Sequence, residues 1–163
     1  MKTIPNWCEN DLTIKGPKEE LIKFANFVSN GTNYFDFNKI LPLPAELAGG
    51  KSPSDFSKKK NAELVKKYGF DNWYDWQIMN WGTKWNAHLE EKFTIEDREM
   101  FAYFATAWSP PEPLIIEASR QFPLLTFKLK FWEGGGGFRG MLICKAGEIL
   151  KQVTYNYKGD KGG

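Results

Sequence analysis

Five of the seven tryptophans in this chain of 163 residues stand in short polar motifs. The motifs are Asn6-Trp7-Cys8-Glu9-Asn10, Asn80-Trp81-Gly82-Thr83-Lys84-Trp85, Thr106-Ala107-Trp108-Ser109-Pro110-Pro111 and Phe131-Trp132-Glu133. A tryptophan combines a large ring with an N–H group that needs a partner. Repeated pairing with polar residues therefore favours rings beside a polar surface, as in a pocket for a flat polar ligand. An aromatic core with capped loops would show the same motifs.

The segment from Asn80 to Trp85 is the strongest candidate for a binding site. Gly82 permits close backbone approach, Lys84 supplies a cation, and a tryptophan ring can stack a nucleobase for roughly 1–3 kcal/mol. These features predict a site for a small planar anion, a nucleotide or cyclic nucleotide. For this segment taken alone, a structural corner whose tryptophans fill the core is the favoured interpretation. The predicted ligand-binding residues are Trp7, Asn80, Trp81, Thr83, Lys84, Trp85, Trp108 and Arg139.

Groups suited to catalysis are few. His88 is the single histidine, and no cysteine or aspartate stands beside it at the spacing of metal ligands. Ser109, followed by two prolines, does not lie in a nucleophile elbow. Cys8 could act as a nucleophile with His88, but a small buried thiol is the favoured interpretation. We therefore predict no catalytic residues, no metal and no cofactor, as is typical of a binding protein.

Two further patterns suit anionic ligands. The backbone N–H groups of residues 134–137, four consecutive glycines, could cradle a phosphate. A flexible hairpin loop is the favoured interpretation, because the segment lacks the phosphate-loop motif and joins two predicted strands. Lys128 and Lys130 lie on one side of a predicted strand, which would suit single-stranded nucleic acid if aromatic residues share that side. The favoured alternative is a solvated strand face.

The amino-acid composition narrows the class of protein and the cellular compartment. The hydrophobic fraction is 42%, the charged fraction is 26% and the formal net charge is +2, which is too balanced to indicate a nucleic-acid protein by bulk charge. No apolar run approaches the roughly 18 residues of a membrane span. Cys8 and Cys144 stand far apart, and we interpret them as reduced thiols of a cytoplasmic protein.

Hydrophobic periodicity predicts two strand–helix–strand units. The first is a strand at 11–16, a helix at 18–29 and a strand at 34–40. An insertion at about 45–90 follows, with a helix at 61–68 and a short helix on which Trp73, Trp76 and Met79 could share one face. The later elements are strands at 93–95 and 100–108, a helix at 112–121, and strands at 125–132, 138–145 and 149–157.

This order predicts an α+β fold with a ferredoxin-like antiparallel sheet and two helices on one face. The insertion and an additional C-terminal β-hairpin complete the predicted fold. We expect a single domain over 1–158 and a disordered tail at 159–163.

The tryptophan motifs, together with Phe122-Pro123 and Phe138-Arg139-Gly140, resemble those of uncharacterised phage and plasmid proteins that contain the YubB-type ferredoxin-like domain. The resemblance spans nearly the whole chain and fits least well near residues 48–62. It implies the ferredoxin-like fold and an origin in a mobile genetic element. It supplies no activity, ligand or catalytic residue.

Chemistry and resemblance together suggest a non-enzymatic phage or mobile-element protein in the cytoplasm of a bacterial host. Its expected role is to sequester a nucleotide or cyclic-nucleotide defence signal, with tryptophans on the base and Lys84 and Arg139 on the phosphate. The alternative is a counter-defence module that binds a host protein or single-stranded nucleic acid directly. No membrane partner is expected, and the oligomeric state is left open.

Overall fold

The computed structural model describes residues 5–159. The strands are β1 (Trp7–Lys15), β2 (Thr94–Glu96), β3 (Glu99–Ala107), β4 (Thr126–Glu133), β5 (Phe138–Lys145) and β6 (Glu148–Asn156). The helices are α1 (Lys18–Val28), α2 (Ala45–Ala48), α3 (Lys58–Tyr68), α4 (Trp73–Asn80) and α5 (Glu112–Gln121). Of the tail predicted to be disordered, residues 160–163 lie outside the described part.

The strands form one sheet in the order β2-β3-β1-β4-β5-β6, and every neighbouring pair is antiparallel. The first four strands follow the ferredoxin-like order, and β5 and β6 extend the sheet as a hairpin. The predicted α+β fold with a ferredoxin-like antiparallel sheet is confirmed. No helix among residues 5–159 is long and apolar enough to cross a bilayer.

Both long helices of the two units cover the same side of the sheet. Phe24 of α1 packs edge to face on Phe127 of β4, with 5.3 Å between ring centroids. Cys144 of β5, the register partner of Phe127, donates a weak hydrogen bond to the carbonyl of Ile115 in α5. Phe127 and Cys144 point to the same side, so α1 and α5 share it. The opposite side of the sheet is called the open face below.

Alternation along the strands explains which side each residue takes. In β1 every second residue from Cys8 to Ile14 is buried against the helices, and the intervening side chains point to the open face. Phe24 and Phe35 form the centre of an aromatic core that contacts further rings: Phe37, Phe93, Phe104, Phe122 and Phe127.

The predicted strand at 34–40 is wrong. Phe35, Asp36 and Phe37 are all buried, and a 3₁₀ turn spans Phe37–Lys39. The Asp36 carboxylate accepts the backbone N–H of Asn38 and starts this turn. The second strand of the ferredoxin-like order is therefore β2, and the whole segment 29–93 lies between α1 and β2.

Hydrogen bonds between side chains hold α2 and α3 together within the segment that connects α1 and β2. Glu46 of α2 accepts hydrogen bonds from Lys67, Tyr68 and Lys60 of α3, and these donors lower its carboxyl pKa to about 2. The predicted helix at 61–68 is confirmed as the larger part of α3, which Ser57 caps.

The predicted shared face of α4 is wrong in part. Trp76 is buried, whereas Met79 is largely exposed. Trp73 and Met79 are six residues apart, which places them roughly 240° apart around a helix.

Gly140 lies where two neighbouring strands crowd the helix side of β5. A Cβ atom there would stand 2.4 Å from Phe131 Cζ and 2.4 Å from the carbonyl oxygen of Val153. The contact with a backbone oxygen cannot be relieved by rotating a side chain. Only glycine fits this position.

Gly140→Ala should destabilise the protein by about 1–3 kcal/mol, the usual cost of overpacking. Urea unfolding followed by tryptophan fluorescence measures the change. Gly134→Ala is the matched control, because the nearest atom to its added Cβ lies 3.5 Å away. Equal stability of the two variants would contradict the packing of β5 against Phe131.

Candidate functional site

Three tryptophan motifs meet at one corner of the sheet, where β1 begins and β3 and α4 end. Three hydrogen bonds join them: Trp108 N–H to the Asn6 carbonyl (2.9 Å), Thr83 Oγ1 to the Ala107 carbonyl (2.8 Å), and Ser109 Oγ to the Gly82 carbonyl (2.6 Å). The motifs are far apart in sequence, so these bonds fix the relative positions of their rings. Trp7, Lys84, Trp85 and Trp108 are called the tryptophan corner below.

Gly82 allows this corner to close. Its φ of +83° lies in the left-handed region, and a Cβ atom would stand 2.5 Å from Pro113 Cδ. Its N–H group bonds to the last turn of α4, at the carbonyls of Gln77 and Ile78. The chain therefore leaves α4 directly against the start of α5.

The corner presents flat rings and a cation to solvent. Trp7 is 45% exposed and Trp85 is 38% exposed, and their ring centroids are 6.3 Å apart at 47°. The Lys84 ammonium lies 4.7 Å from the Trp85 ring centroid, within the range of a cation–π contact. Ring faces beside an ammonium suit a base linked to a phosphate.

Trp108 is held in an unusual backbone conformation. Its φ is +70°, although bulky side chains rarely adopt the left-handed region, and its side chain is 44% exposed. Such a conformation costs of order 1–3 kcal/mol and persists where surrounding bonds impose it. Here its own N–H bond to Asn6 and the neighbouring bonds of Ser109 impose it.

Three of the predicted site residues have their polar atoms bonded within the protein. Trp81 is 2% exposed, and its indole N–H donates to the Leu41 carbonyl at 2.9 Å. Thr83 is fully buried, and the Asn80 amide donates to the Trp76 carbonyl at 2.9 Å. This is the arrangement of a structural corner, and it leaves Trp7, Lys84, Trp85 and Trp108 to face a ligand.

Arg139 belongs to a second group of residues, on the open face. It is the register partner of Trp132 on one side and of Tyr155 on the other. Its guanidinium lies 5.1 Å from the Tyr155 ring centroid, and its Nε donates to the Asn156 carbonyl at 3.2 Å. The structure therefore divides the eight predicted residues between a core segment, the tryptophan corner and the open face.

The aromatic residues of the open face form a group of functional candidates that the sequence motifs did not indicate as a group, although Trp7 and Trp132 stand in two of those motifs. They are Trp7, Phe101, Tyr103, Trp132 and Tyr155. The Tyr103 and Trp132 rings lie 6.2 Å apart, and Tyr103 donates its hydroxyl proton to the Glu9 carboxylate. Partial burial and this carboxylate raise the pKa of Tyr103 to about 12. Strand pairing was needed to find the group, since its members lie on four strands.

Charge divides the open face into two halves. On β1 and β3 it carries Glu9, Asp11 and Glu99, and Glu99 pairs with Lys15 at 2.7 Å. On β4 and β5, which the structure describes in full, every charged residue of this face is basic: Lys128, Lys130, Arg139 and Lys145. We call this the basic half. It attracts anions, and the side chains of Trp132 and Met141 lie between its charges.

The glycine loop between β4 and β5 does not present a free anion cradle. The Glu133 carboxylate accepts the N–H groups of Gly135, at 2.7 Å, and of Gly136. A bound phosphate would have to displace this carboxylate and meet its charge. The favoured interpretation as a hairpin loop agrees with this geometry.

The suggested pairing of Cys8 with His88 is wrong. Cys8 is buried on the helix side of β1, whereas His88 is exposed and lines a groove with Trp7 and Ala105 on the other side. Burial, with a contribution from Glu133, raises the pKa of the Cys8 thiol to about 12. Cys144 is also buried and unpaired. No group of three or more potential metal ligands exists among residues 5–159.

Both thiols should resist alkylation by iodoacetamide in the folded protein, because burial hides them and raises their pKa. The same reagent should modify both within minutes after unfolding in guanidinium. Intact-mass spectrometry counts the added groups. Rapid modification of the folded protein at Cys8 would contradict its assignment as a core thiol.

Comparison with known proteins agrees with this architecture. The structure resembles a crystal structure of the protein Api92 from Yersinia pseudotuberculosis, with a TM-score of 0.61 and 12% sequence identity over 96% of this chain and 100% of that chain. At this identity the likeness shows the fold alone. No curated protein matches the chain. Residues 80–160, from the end of α4 beyond the end of β6, match the model of a family described as the ferredoxin-like domain in Api92-like protein.

Proposed function

We propose that this protein binds single-stranded nucleic acid across the basic half of the open face, with the tryptophan corner at one end of the bound strand. The observation that carries the proposal is the register of the sheet. It puts four basic side chains and no acidic one on the open face of β4 and β5, beside the aromatic residues of neighbouring strands. Basic grooves with aromatic stacking platforms are how proteins bind single strands without base pairing.

The spacing of the cations suits an extended polyanion. Lys128 and Lys130 are two residues apart on β4, hence about 7 Å apart along the strand. Arg139 and Lys145 lie on the next strand, opposite Trp132 and Thr126. Several phosphates in a row can thus meet a cation each, whereas a single nucleotide can use only one or two.

The exposed rings supply the second part of the binding energy. Trp7 and Tyr155 are about half exposed and lie on opposite sides of the buried Trp132. Each base stacked on such a ring contributes roughly 1–3 kcal/mol. Because every base has a flat face, this contribution depends little on sequence.

Sequestration of a nucleotide or cyclic nucleotide is the second candidate. Lys84 over the Trp85 ring, with Trp7 adjacent, offers stacking and one positive charge. Tight small-molecule sites normally bury most of the ligand surface in a concave pocket. Trp7, Trp85 and Trp108 are instead exposed at the surface, so a longer ligand that also contacts the open face fits better.

The resemblance of the tryptophan motifs to those of phage and plasmid proteins supports a role in a mobile genetic element, and we propose that the protein acts in the cytoplasm of a bacterial host. A protein that covers single strands there could hide them from a host defence system. Direct binding of a host protein to the same face is the competing use of its exposed aromatic residues.

The double variant Lys128→Gln and Lys130→Gln should bind oligo(dT) of about 12 nucleotides more weakly than the wild type. Each lost phosphate contact should also reduce the slope of log K against log salt by about 0.7. Fluorescence anisotropy across a series of salt concentrations measures both quantities.

The matched control is Lys18→Gln with Lys23→Gln, which removes the same charge from the exposed surface of α1 on the other side of the sheet. It should change neither affinity nor slope beyond the general effect of net charge. Equal losses in the two double variants would overturn the assignment of the basic half.

Trp7→Ala should weaken oligonucleotide binding by about 1–3 kcal/mol, because one stacked base loses its platform. Titration calorimetry gives the affinity, and thermal unfolding checks the fold. Phe27→Ala is the control, since Phe27 is as exposed as Trp7 but lies on α1. AMP or cyclic AMP that binds as tightly as the oligonucleotide would replace this proposal with nucleotide sequestration.

A further inference from the structure

Strand β6 forms an edge of the sheet, and within residues 5–159 its only neighbouring strand is β5. The opposite edge strand, β2, is three residues long, and a short edge strand is a common device against pairing with another chain. In contrast, β6 is nine residues long, contains no proline and carries a single lysine. Its regular part, residues 151–156, follows a shift in register near Ile149. The sheet is therefore open to a further strand at β6.

The backbone of β6 shows which of its groups face outward. Just beyond the strand, Tyr157 N–H donates to the Gly137 carbonyl at 2.7 Å. The Val153 carbonyl oxygen also faces β5, where it crowds the position at which only glycine fits. In an antiparallel ladder, successive residues turn their backbone groups alternately to the two sides of the strand. The N–H and C=O groups of Gln152 and Thr154 therefore point away from β5.

We propose that β6 pairs antiparallel with β6 of a second copy of this chain, in a register centred on Val153. This register sets Gln152 of each copy opposite Thr154 of the other, and each such pair exchanges N–H···O bonds through the groups that point outward. A two-fold axis perpendicular to the sheet relates the copies, and two-fold symmetry is the commonest in dimers. The dimer does not depend on the proposed binding of single strands.

The side chains on the open face of β6 fit this register. Val153 meets its own counterpart at the axis, and Lys151 of each copy lies opposite Tyr155 of the other. Within one copy the Arg139 guanidinium lies over the Tyr155 ring, and Lys151 of the second copy approaches that ring from the opposite edge as a further cation–π partner.

The charges of β6 are compatible with a second copy of the same strand. The two Lys151 side chains stand four residues, roughly 14 Å, apart along the join. This separation exceeds the Debye length of about 10 Å at 0.1 M salt, so their repulsion is screened. The pairing thus brings each lysine to an aromatic ring and keeps the two lysines apart.

The dimer makes one continuous open face from two copies. Across the join the strands run β4-β5-β6-β6-β5-β4, and the axis perpendicular to the sheet keeps both open faces on the same side. The two β5 strands are three strand spacings, roughly 14 Å, apart. The basic halves of the two copies therefore lie side by side.

Sedimentation velocity from about 5 to 500 µM tests the association. The wild type should change from monomer to dimer as its concentration rises, because an interface well below about 1,200 Å² is weak. Thr154→Pro removes an outward N–H group and no hydrogen bond of the sheet, so it should stay monomeric throughout. Thr154→Ala keeps the N–H group and should associate like the wild type. Thermal unfolding checks that each variant is folded.

A cross-linking experiment tests the register without proline. Val153→Cys places two thiols at the axis, in a pair without backbone hydrogen bonds whose Cα atoms lie about 4.5 Å apart, within the range of a disulfide. The native cysteines are buried and do not compete. Mild oxidation with glutathione disulfide should link two chains, which a non-reducing gel detects.

Glu148→Cys is the matched control for cross-linking. It lies on the same strand and the same face, but the register sets it roughly 30 Å from its counterpart. Val153→Cys should cross-link about tenfold faster or more, because the dimer raises the effective concentration of its thiols.

The inference fails if the wild type remains monomeric at 500 µM. It also fails if folded Thr154→Pro associates as strongly as Thr154→Ala, since the copies would then meet through another surface. Equal cross-linking rates for Val153→Cys and Glu148→Cys would exclude the register centred on Val153.

Discussion

The buried hydrogen bond from Thr83 to the Ala107 carbonyl ties the long connection between α1 and β2 to the sheet. The position of every exposed ring at the tryptophan corner depends on this contact and on the two bonds beside it. A buried hydroxyl that lost its acceptor would cost about 1–3 kcal/mol. The segment that follows α4 is thus fixed to the end of β3, and Lys84 and Trp85 are presented beside Trp7.

The two sides of the sheet differ in the types of aromatic and charged residues that they carry. The helix side carries a cluster of phenylalanines that pack edge to face around Phe24 and Phe35 and need no polar partners. The open face carries tryptophan, tyrosine, lysine and arginine. Stability alone does not require aromatic rings on a solvated face, and exposed apolar patches usually mark an interaction site.

The sequence alone predicts the helices and strands that have a clear hydrophobic periodicity. Alternating residues predicted β3 and β4, and the apolar spacing of Leu21, Phe24 and Val28 predicted α1. The segment 34–40 was misread because aromatic residues suggest a strand, whereas the Asp36 side chain bonds ahead to Asn38 and starts a turn. Local chemistry outweighed β propensity there.

The candidate site was predictable only in part. The motifs identified Trp7, Lys84 and Trp85, which do lie together. They could not separate Trp81, which fills the core, from Trp85 four residues later, because both rings follow the same polar pattern. Arg139, Trp132 and Tyr155 become neighbours only through strand pairing, and pairing is a long-range property that no local motif contains.

The segment from Gln77 to Trp85 carries two members of the tryptophan corner, Lys84 and Trp85. Gln77 donates to the Lys84 carbonyl, and Lys84 in turn lies over the ring of Trp85. Since these bonds already fix the segment, its rings are ordered before a ligand arrives, which lowers the entropic cost of binding.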